Sequence, residues 1–194
     1  MPGTRIRLAV LTCSGPAARS GPLAAQWLLD EADKYGQFDV EVVDLTAAQL
    51  PVVITRPPGA EAVERLAAVS PALAAADAFI VVTPEYNHGY PAVLKSAIDW
   101  HTTEWHAKPV GFVSYGGRSG GLRAVEQLRL VFAELHAVTL RDGIGFAQVW
   151  DQFDEAGAPK DPAGCAGAAK VMFDQLTWWA LALGEARDKR PYTG

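Results

Sequence analysis

Residues Val81–Trp100 read VVTPEYNHGYPAVLKSAIDW. The stretch begins as a strand and ends as a helix. Its strand starts upstream, at Ala78, and Ala78–Thr83 (AFIVVT) is a continuous apolar run. Such a run fits a strand covered on both faces, as in a parallel sheet. Pro91 suits the first position of a helix, where its missing N–H costs nothing. After it, Leu94, Ala97, Ile98 and His101 recur at helical spacing.

The same alternation extends outward in both directions. Ile6–Thr12 reads as a strand, and from Pro22 the residues Leu23, Trp27, Leu28, Ala32 and Tyr35 mark a helix that Gly36 would stop. Phe38–Val43 is a second strand. Residues 44–60, with Pro51, Pro57 and Pro58, read as a long surface connection. Glu61–Ala76 is helical with Val63, Leu66 and Leu73 inward, broken or restarted at Pro71 with Ser70 as a cap. Val110–Tyr115 is a fourth strand, and Leu122, Val125, Leu128, Phe132 and Leu135 make the next helix. A fifth strand falls within 137–148, residues 151–162 form a loop, and Met172, Leu176, Trp179 and Leu183 mark the last helix, after which the terminus frays. Five strand–helix alternations predict an α/β fold. Specifically, they predict one domain over residues 1–194: a doubly wound five-stranded parallel sheet with helices on both faces.

Bulk properties narrow the function. Apolar residues make up 49% of the 194 and charged residues 20%, a globular composition with enough chain for a sizeable core. A net charge of -5 without a basic run argues against a nucleic-acid partner. No stretch approaches the ~18 apolar residues of a membrane span, and the N-terminus lacks a signal-peptide pattern. Cys13 and Cys165 form no disulfide framework and read as reduced thiols, so the expected compartment is cytoplasmic.

Three loops follow carboxyl ends of strands, where open α/β sheets bind ligands. Thr12–Gly21 (TCSGPAARSG) opens a helix, and helix starts bind anions through unpaired amides and the macrodipole. Ser14, Ser20 and Gly21 are candidate phosphate contacts, with Arg19 as a candidate charge. Ser20 as a plain cap and Arg19 as a solvated side chain are the competing readings. Thr83–Pro91 (TPEYNHGYP) places Pro84, Glu85, Tyr86 and Asn87 beside Gly89, and suits a flat heteroaromatic ring better than an acid–base pair. Ser114–Gly121 (SYGGRSGG) carries four glycines, which allow a planar ligand to lie on bare backbone.

On these residues the chain resembles the NADPH-dependent FMN reductases, which have the flavodoxin-like fold. TPEYNHGYPAVLKSAIDW looks like the family signature, and SYGGRSGG resembles its second flavin-contacting loop. The resemblance implies strand order 2-1-3-4-5 and non-covalently bound FMN. Residues matching Pro84, Glu85, Tyr86 and Asn87 would contact the isoalloxazine, and those matching Ser114, Gly116 and Gly117 its pyrimidine edge, with Ser119 a secondary donor. Amides near Gly116 and Gly117 would stabilise negative charge on the reduced ring. NADPH or NADH would supply hydride, and a small-molecule acceptor (free flavin, a quinone, an azo compound or a metal oxyanion) would take the electrons. The resemblance also implies a homodimer or tetramer, with the helix at Ala92–Trp100 as its contact, unless Ile98 and Trp100 are intrachain core. The first loop departs from the family, because Pro16 stands where an arginine is usual and Arg19 comes later.

Three rivals are weaker. Gly117–Gly121 (GRSGG) matches the GxSxG elbow of serine hydrolases, but the one histidine after Ser119 is His136, on the same expected helix. His101, Glu104 and His106 lack the spacing that puts metal ligands on one helix face, and read as ordinary surface or interface side chains. A flavodoxin-like electron carrier would share the fold and the FMN but not the reaction with NADPH. Trp178 and Trp179 read as core and interface.

Overall fold

A computed structural model of the chain describes residues 5–15 and 20–194. Strands β1 (Ile6–Thr12), β2 (Phe38–Asp44), β3 (Ala78–Pro84) and β4 (Pro109–Tyr115) are parallel, and their order is β2-β1-β3-β4. Central β3 and β4 are buried along their whole length, as their apolar runs require; edge strand β2 is mostly solvent-facing. The expected fifth strand exists as two short segments. β5 (Val138–Thr139) pairs with the start of β4, and β6 (Ile144–Phe146) with its end. Both lie along the edge of β4 that β3 does not occupy, so the sheet has five positions in the expected 2-1-3-4-5 order.

Helices cover both faces. On one, α1 (Ser20–Tyr35) and α7 (Pro162–Lys189) bury Ala24, Trp27, Leu28, Met172, Phe173 and Leu176 against Val10, Ile80 and Val82. On the other, α4 (Ser70–Ala75), α5 (Ala92–Trp100) and α6 (Leu122–Glu134) pack Leu73, Leu94, Ile98, Leu128 and Phe132 against Leu11, Phe79, Val81 and Phe112. No described helix is long and apolar enough to cross a membrane.

Several local expectations change. The 44–60 connection contains the short helix α2 (Leu45–Ala48), capped by Asp44, whose carboxylate accepts from the amides of Thr46 and Ala47. The helix expected over 61–76 is two, α3 (Ala60–Leu66) and α4, with Pro71 in the first turn of α4. Val63 points outward at 53% exposure, because the short α3 turns Ala62 inward instead. Ser70 does not cap α4; Val69 holds that position, and the Ser70 hydroxyl bonds His101 Nε2 at 2.9 Å. Pro91 is the N-cap of α5 rather than its first residue. His101 is core, not surface, with Nδ1 on the Ala97 carbonyl at 2.7 Å. Trp105, unassigned by periodicity, is fully buried in the turn after α5. At the C-terminus, Tyr192 bonds His136 Nδ1 at 2.8 Å and packs edge-on to His106 and His136.

Candidate functional site

The chain reverses direction in the sheet at β1, whose neighbours β2 and β3 lie on opposite sides. The loops after β1, β3 and β4 therefore open onto one crevice at the strands' carboxyl ends. Beside the first of them, an open cleft of about 480 Å³ is lined by Ser14, Gly15, Pro22, Asp44 and Thr46, among others.

The loop after β3 is a tight hairpin. Tyr86 N–H donates to the Gly89 carbonyl at 2.9 Å, and Gly89 N–H to the Tyr86 carbonyl at 3.0 Å. The two residues between them, Asn87 (φ 49°) and His88 (φ 77°), both adopt the left-handed conformation. Two successive positive φ values define a tight turn, and a histidine there is strained. The irregular backbone is thus carried by Asn87 and His88; Gly89 has an ordinary φ. Gln127 on α6 braces the turn by donating to the His88 carbonyl at 2.8 Å. Pro84 is buried in β3, whereas Tyr86 and Asn87 stand exposed at the tip.

Glu85 ties this hairpin to the glycine loop. Its side chain is 5% exposed. The carboxylate accepts from Ser119 Oγ at 2.7 Å and from Arg123 N–H at 3.2 Å, and it is paired with the Arg123 guanidinium. Burial by itself would raise the Glu85 pKa; Ser119 and Arg123 together outweigh it and hold the carboxyl below its ordinary value.

The four glycines divide into two kinds. Gly120 (φ 62°) and Gly121 (φ 86°) are required by the backbone, and a Cβ on Gly121 would lie 2.6 Å from Ser114 Cβ. Gly116 and Gly117 have no positive φ, and a Cβ on either would find its nearest neighbour at 3.6 Å, ordinary van der Waals contact. The fold does not need glycine at 116 or 117, yet the chain leaves both bare, beside Glu85 and Trp150 respectively. Gly116 N–H is bonded to the Phe146 carbonyl at 3.2 Å and is not available to a ligand. The amides of Glu85 and Tyr86 are likewise committed, to Tyr115 and Gly89. Among the described residues no backbone acceptor meets the N–H of Gly117, Arg118 or Ser119, so these amides of the glycine loop remain available to a ligand. Ser114 Oγ donates to the Gly120 carbonyl at 2.8 Å and so shapes the loop from beneath.

At the first loop, Ser14 lies against Gly21 of α1, whose described part begins at Ser20. Arg19 lies outside the described residues. A Cβ on Gly21 would overlap Ser14 Oγ and lie 2.5 Å from Tyr115 Oη, so only glycine lets these two hydroxyls close on the helix start. Cys13 is sealed beneath, its thiol donating to the Val82 carbonyl at 3.3 Å and pushed up to about 12 by burial, which keeps it unreactive. Two buried side-chain oxygens have no partner among the described residues: Tyr115 Oη, and Thr46 Oγ1 in the cleft. Sequence reasoning singled out neither: Tyr115 stood unremarked within SYGGRSGG, and Thr46 carries no motif signal.

A family model described as NADPH-dependent FMN reductase matches residues 6–151, three-quarters of the chain. The chain belongs to the NADPH-dependent FMN reductase family. The matched stretch includes all three loops. An NAD(P)H-dependent FMN reductase of Schizosaccharomyces pombe is 38% identical over 122 residues, 59% of this chain and 60% of that protein. An NADPH:quinone oxidoreductase of Arabidopsis thaliana is 34% identical over 106 residues, 52% of this chain and 51% of that protein. The chain thus spans about half to three-fifths of the length of these relatives. Among solved structures, the flavoenzyme NAD(P)H:(acceptor) oxidoreductase of Paracoccus denitrificans superposes with TM-score 0.71 at 22% identity, over 91% of this chain and 98% of that one, a likeness of fold.

The hydrolase alternative does not fit the geometry. Ser119 Oγ bonds Glu85 and Arg123, and His136 bonds Tyr192 and stacks on His106 at 5.1 Å, so no described histidine serves Ser119 as a base. No group of three or more metal-ligating side chains occurs among the described residues.

Proposed function

We propose that this protein is an NAD(P)H-dependent oxidoreductase that binds FMN and reduces a small-molecule acceptor such as free flavin, a quinone, an azo compound or a metal oxyanion. When bound, FMN supplies the chemistry: two-electron uptake from the nicotinamide and release to the acceptor. The observation that carries the reading is the bare Gly116–Gly117 backbone, with room for a Cβ that the sequence does not use, which would face Glu85 at position 116 and Trp150 at position 117. The chain's own residues then bind and orient. Gly117 N–H faces the ring edge, Tyr86 and Asn87 flank it from the hairpin, and Ser14, Ser20 and Gly21 hold the phosphate at the start of α1. Glu85, Ser119 and Arg123 fix the spacing of the two ring loops. Ser119 therefore acts through Glu85 rather than as a ring contact.

We also place the protein in the cytoplasm as a homodimer. The helix α5 is a weaker candidate contact than the sequence implied, because Ile98 is core and the Trp100 indole donates to the Pro51 carbonyl at 2.8 Å. That bond sets the strongly exposed Val52 and Val53 beside α5, an apolar patch that a second copy would cover. The functional test is FMN titration followed by NADPH and NADH oxidation with an acceptor panel. Saturating FMN should raise the melting temperature, since a ligand at a hundredfold excess over Kd stabilises by about 2.7 kcal/mol. FMN binding without nucleotide oxidation would instead identify an electron carrier, and no flavin binding would end the reading.

A further inference from the structure

Another cavity, of about 340 Å³, lies at the amino end of β4 and is lined by Thr103, Glu104, His106, Lys108, Arg187 and Tyr192, among others. Lys108 directly precedes β4 and is 8% exposed, and Arg187 comes from the last turn of α7. Burial first, and then Arg187, pulls the Lys108 pKa down to about 8, while Asp77 and Glu104 act the other way and more weakly than Arg187. Two cations drawn together out of water are unfavourable unless an anion offsets them. Among the described residues neither forms an ion pair. The two nearby acids are engaged elsewhere: Asp77 pairs with Arg7 at 2.8 Å, and the Glu104 carboxylate accepts from Thr102 N–H at 3.0 Å. Donors remain on both cations. Lys108 Nζ gives protons to the Leu73 and Ala74 carbonyls, at 3.1 and 3.2 Å, and an ammonium carries a third. The Arg187 guanidinium donates through Nη1 to the Ala107 carbonyl, which leaves most of its planar fork free.

We propose that this cavity is a binding site for a small tetrahedral oxyanion, inorganic phosphate or the phosphate of a monoester, held between Lys108 and Arg187. A doubly charged oxyanion answers both cations with one ligand, whereas chloride or a single carboxylate answers one. The arginine fork matches the spacing of phosphate oxygens, and the lysine serves as the point charge opposite it. The His106 ring, stacked on His136, forms part of the same wall. The site is separate from the flavin crevice, because β4, seven residues and so about 20 Å long, runs between the two. Lys108 is bonded to the end of α4 and Arg187 belongs to α7, so the bound anion ties α7 to the amino edge of the sheet. Its effect is on the stability of that edge rather than on the chemistry of the crevice.

The test is isothermal titration of FMN-saturated protein with inorganic phosphate, sulfate and chloride at constant ionic strength, so that the flavin already fills any phosphate site in the crevice. Phosphate and sulfate should bind, and chloride at least about tenfold more weakly. Arg187→Gln and Lys108→Met should each weaken phosphate about tenfold or more, the effect of losing hydrogen bonds to a charged group. Arg187→Lys, which keeps the charge but not the fork, should lose less. Lys108 also holds the end of α4, so its variant tests folding as well as binding; Arg187→Gln, with unchanged circular dichroism and FMN affinity within about twofold of wild type, isolates the anion. Glycerol phosphate that binds as tightly as phosphate assigns the site to monoesters, and weaker binding assigns it to the free ion. No phosphate binding by wild type, chloride bound as tightly as phosphate, or phosphate affinity unchanged in Arg187→Gln would each overturn the site. Wild type that takes up no FMN would overturn the flavin reading alone, because the contrast between wild type and Arg187→Gln does not depend on flavin.

Discussion

Removing the Glu85 carboxylate should loosen the crevice at its centre. The carboxylate is nearly inaccessible, accepts from Ser119 Oγ and Arg123 N–H, and is paired with the Arg123 guanidinium. Hydrogen bonds to a charged group contribute about 1.5–3 kcal/mol each when their partner would otherwise be left buried. Arg123 is 46% exposed and can rehydrate, which moves its share toward the surface-pair range below about 1 kcal/mol. Ser119 is half-buried and keeps Arg123 as a neighbour. Glu85→Ala should therefore cost about 2–3 kcal/mol and Glu85→Gln about 1–2 kcal/mol. At about 2–4 °C per kcal/mol for a chain of this size, the alanine variant should melt roughly 5–10 °C lower. The pH dependence carries a sign. The folded carboxyl titrates below its ordinary value of 4.5, so its stabilisation is complete above about that pH and lost as pH falls through the folded pKa. Urea unfolding of the apoprotein at pH 7 and at pH 4 measures both effects, and Glu85→Gln should be flatter than wild type below pH 4.5. A double-mutant cycle with Arg123→Ala should give a coupling of about 1 kcal/mol. A Glu85→Ala cost under about 0.5 kcal/mol, or strictly additive effects, would show that the two loops are not held by this carboxylate.

Gly117→Val should leave apoprotein stability within about 1 kcal/mol of wild type, because a Cβ there meets nothing closer than 3.6 Å, yet should largely abolish FMN binding in a titration. Gly121→Ala is the opposite case: φ 86° and a Cβ 2.6 Å from Ser114 Cβ should destabilise the apoprotein by about 2 kcal/mol or more in the same unfolding assay. Lys108 is buried, donates to the Leu73 and Ala74 carbonyls, and titrates down to about 8 through burial and then the nearby Arg187. Its unfolded value of 10.5 is higher, so between about pH 8 and 10.5 the unfolded chain binds more protons and Lys108 makes stability rise with pH. Cys13 works the other way above pH 9, so the check is the slope of wild type minus Lys108→Met, which should be positive. Sedimentation at micromolar concentration should show a dimer that Val52→Asp with Val53→Asp weakens; a wild-type monomer would remove the dimer proposal.

The strand–helix order was legible in the sequence because burial on both faces leaves a continuous apolar run, and Ala78–Thr83 can be little else. The site loops were legible for a related reason: polar and glycine-rich residues stood where the strands ended. Their internal arrangement was not. Periodicity reports which face a residue prefers, but not which partner its polar atoms find. Nothing local assigns Glu85 to Ser119 and Arg123, 34 and 38 residues away, or turns Ser70 from a cap into the partner of His101. The glycines of SYGGRSGG look alike in sequence; only the packed neighbours separate Gly120 and Gly121, which the backbone demands, from Gly116 and Gly117, which it does not. Tyr115 reads as one more apolar residue of a buried strand until the start of α1 folds over its hydroxyl. The sequence by itself determined the layers and the loops at the strand ends, because these follow from hydrophobic pattern and chain connectivity; the strand order was implied by the family resemblance. Tertiary structure decided which donors remain available there, because hydrogen bonds in a dry interior are assigned by proximity in space.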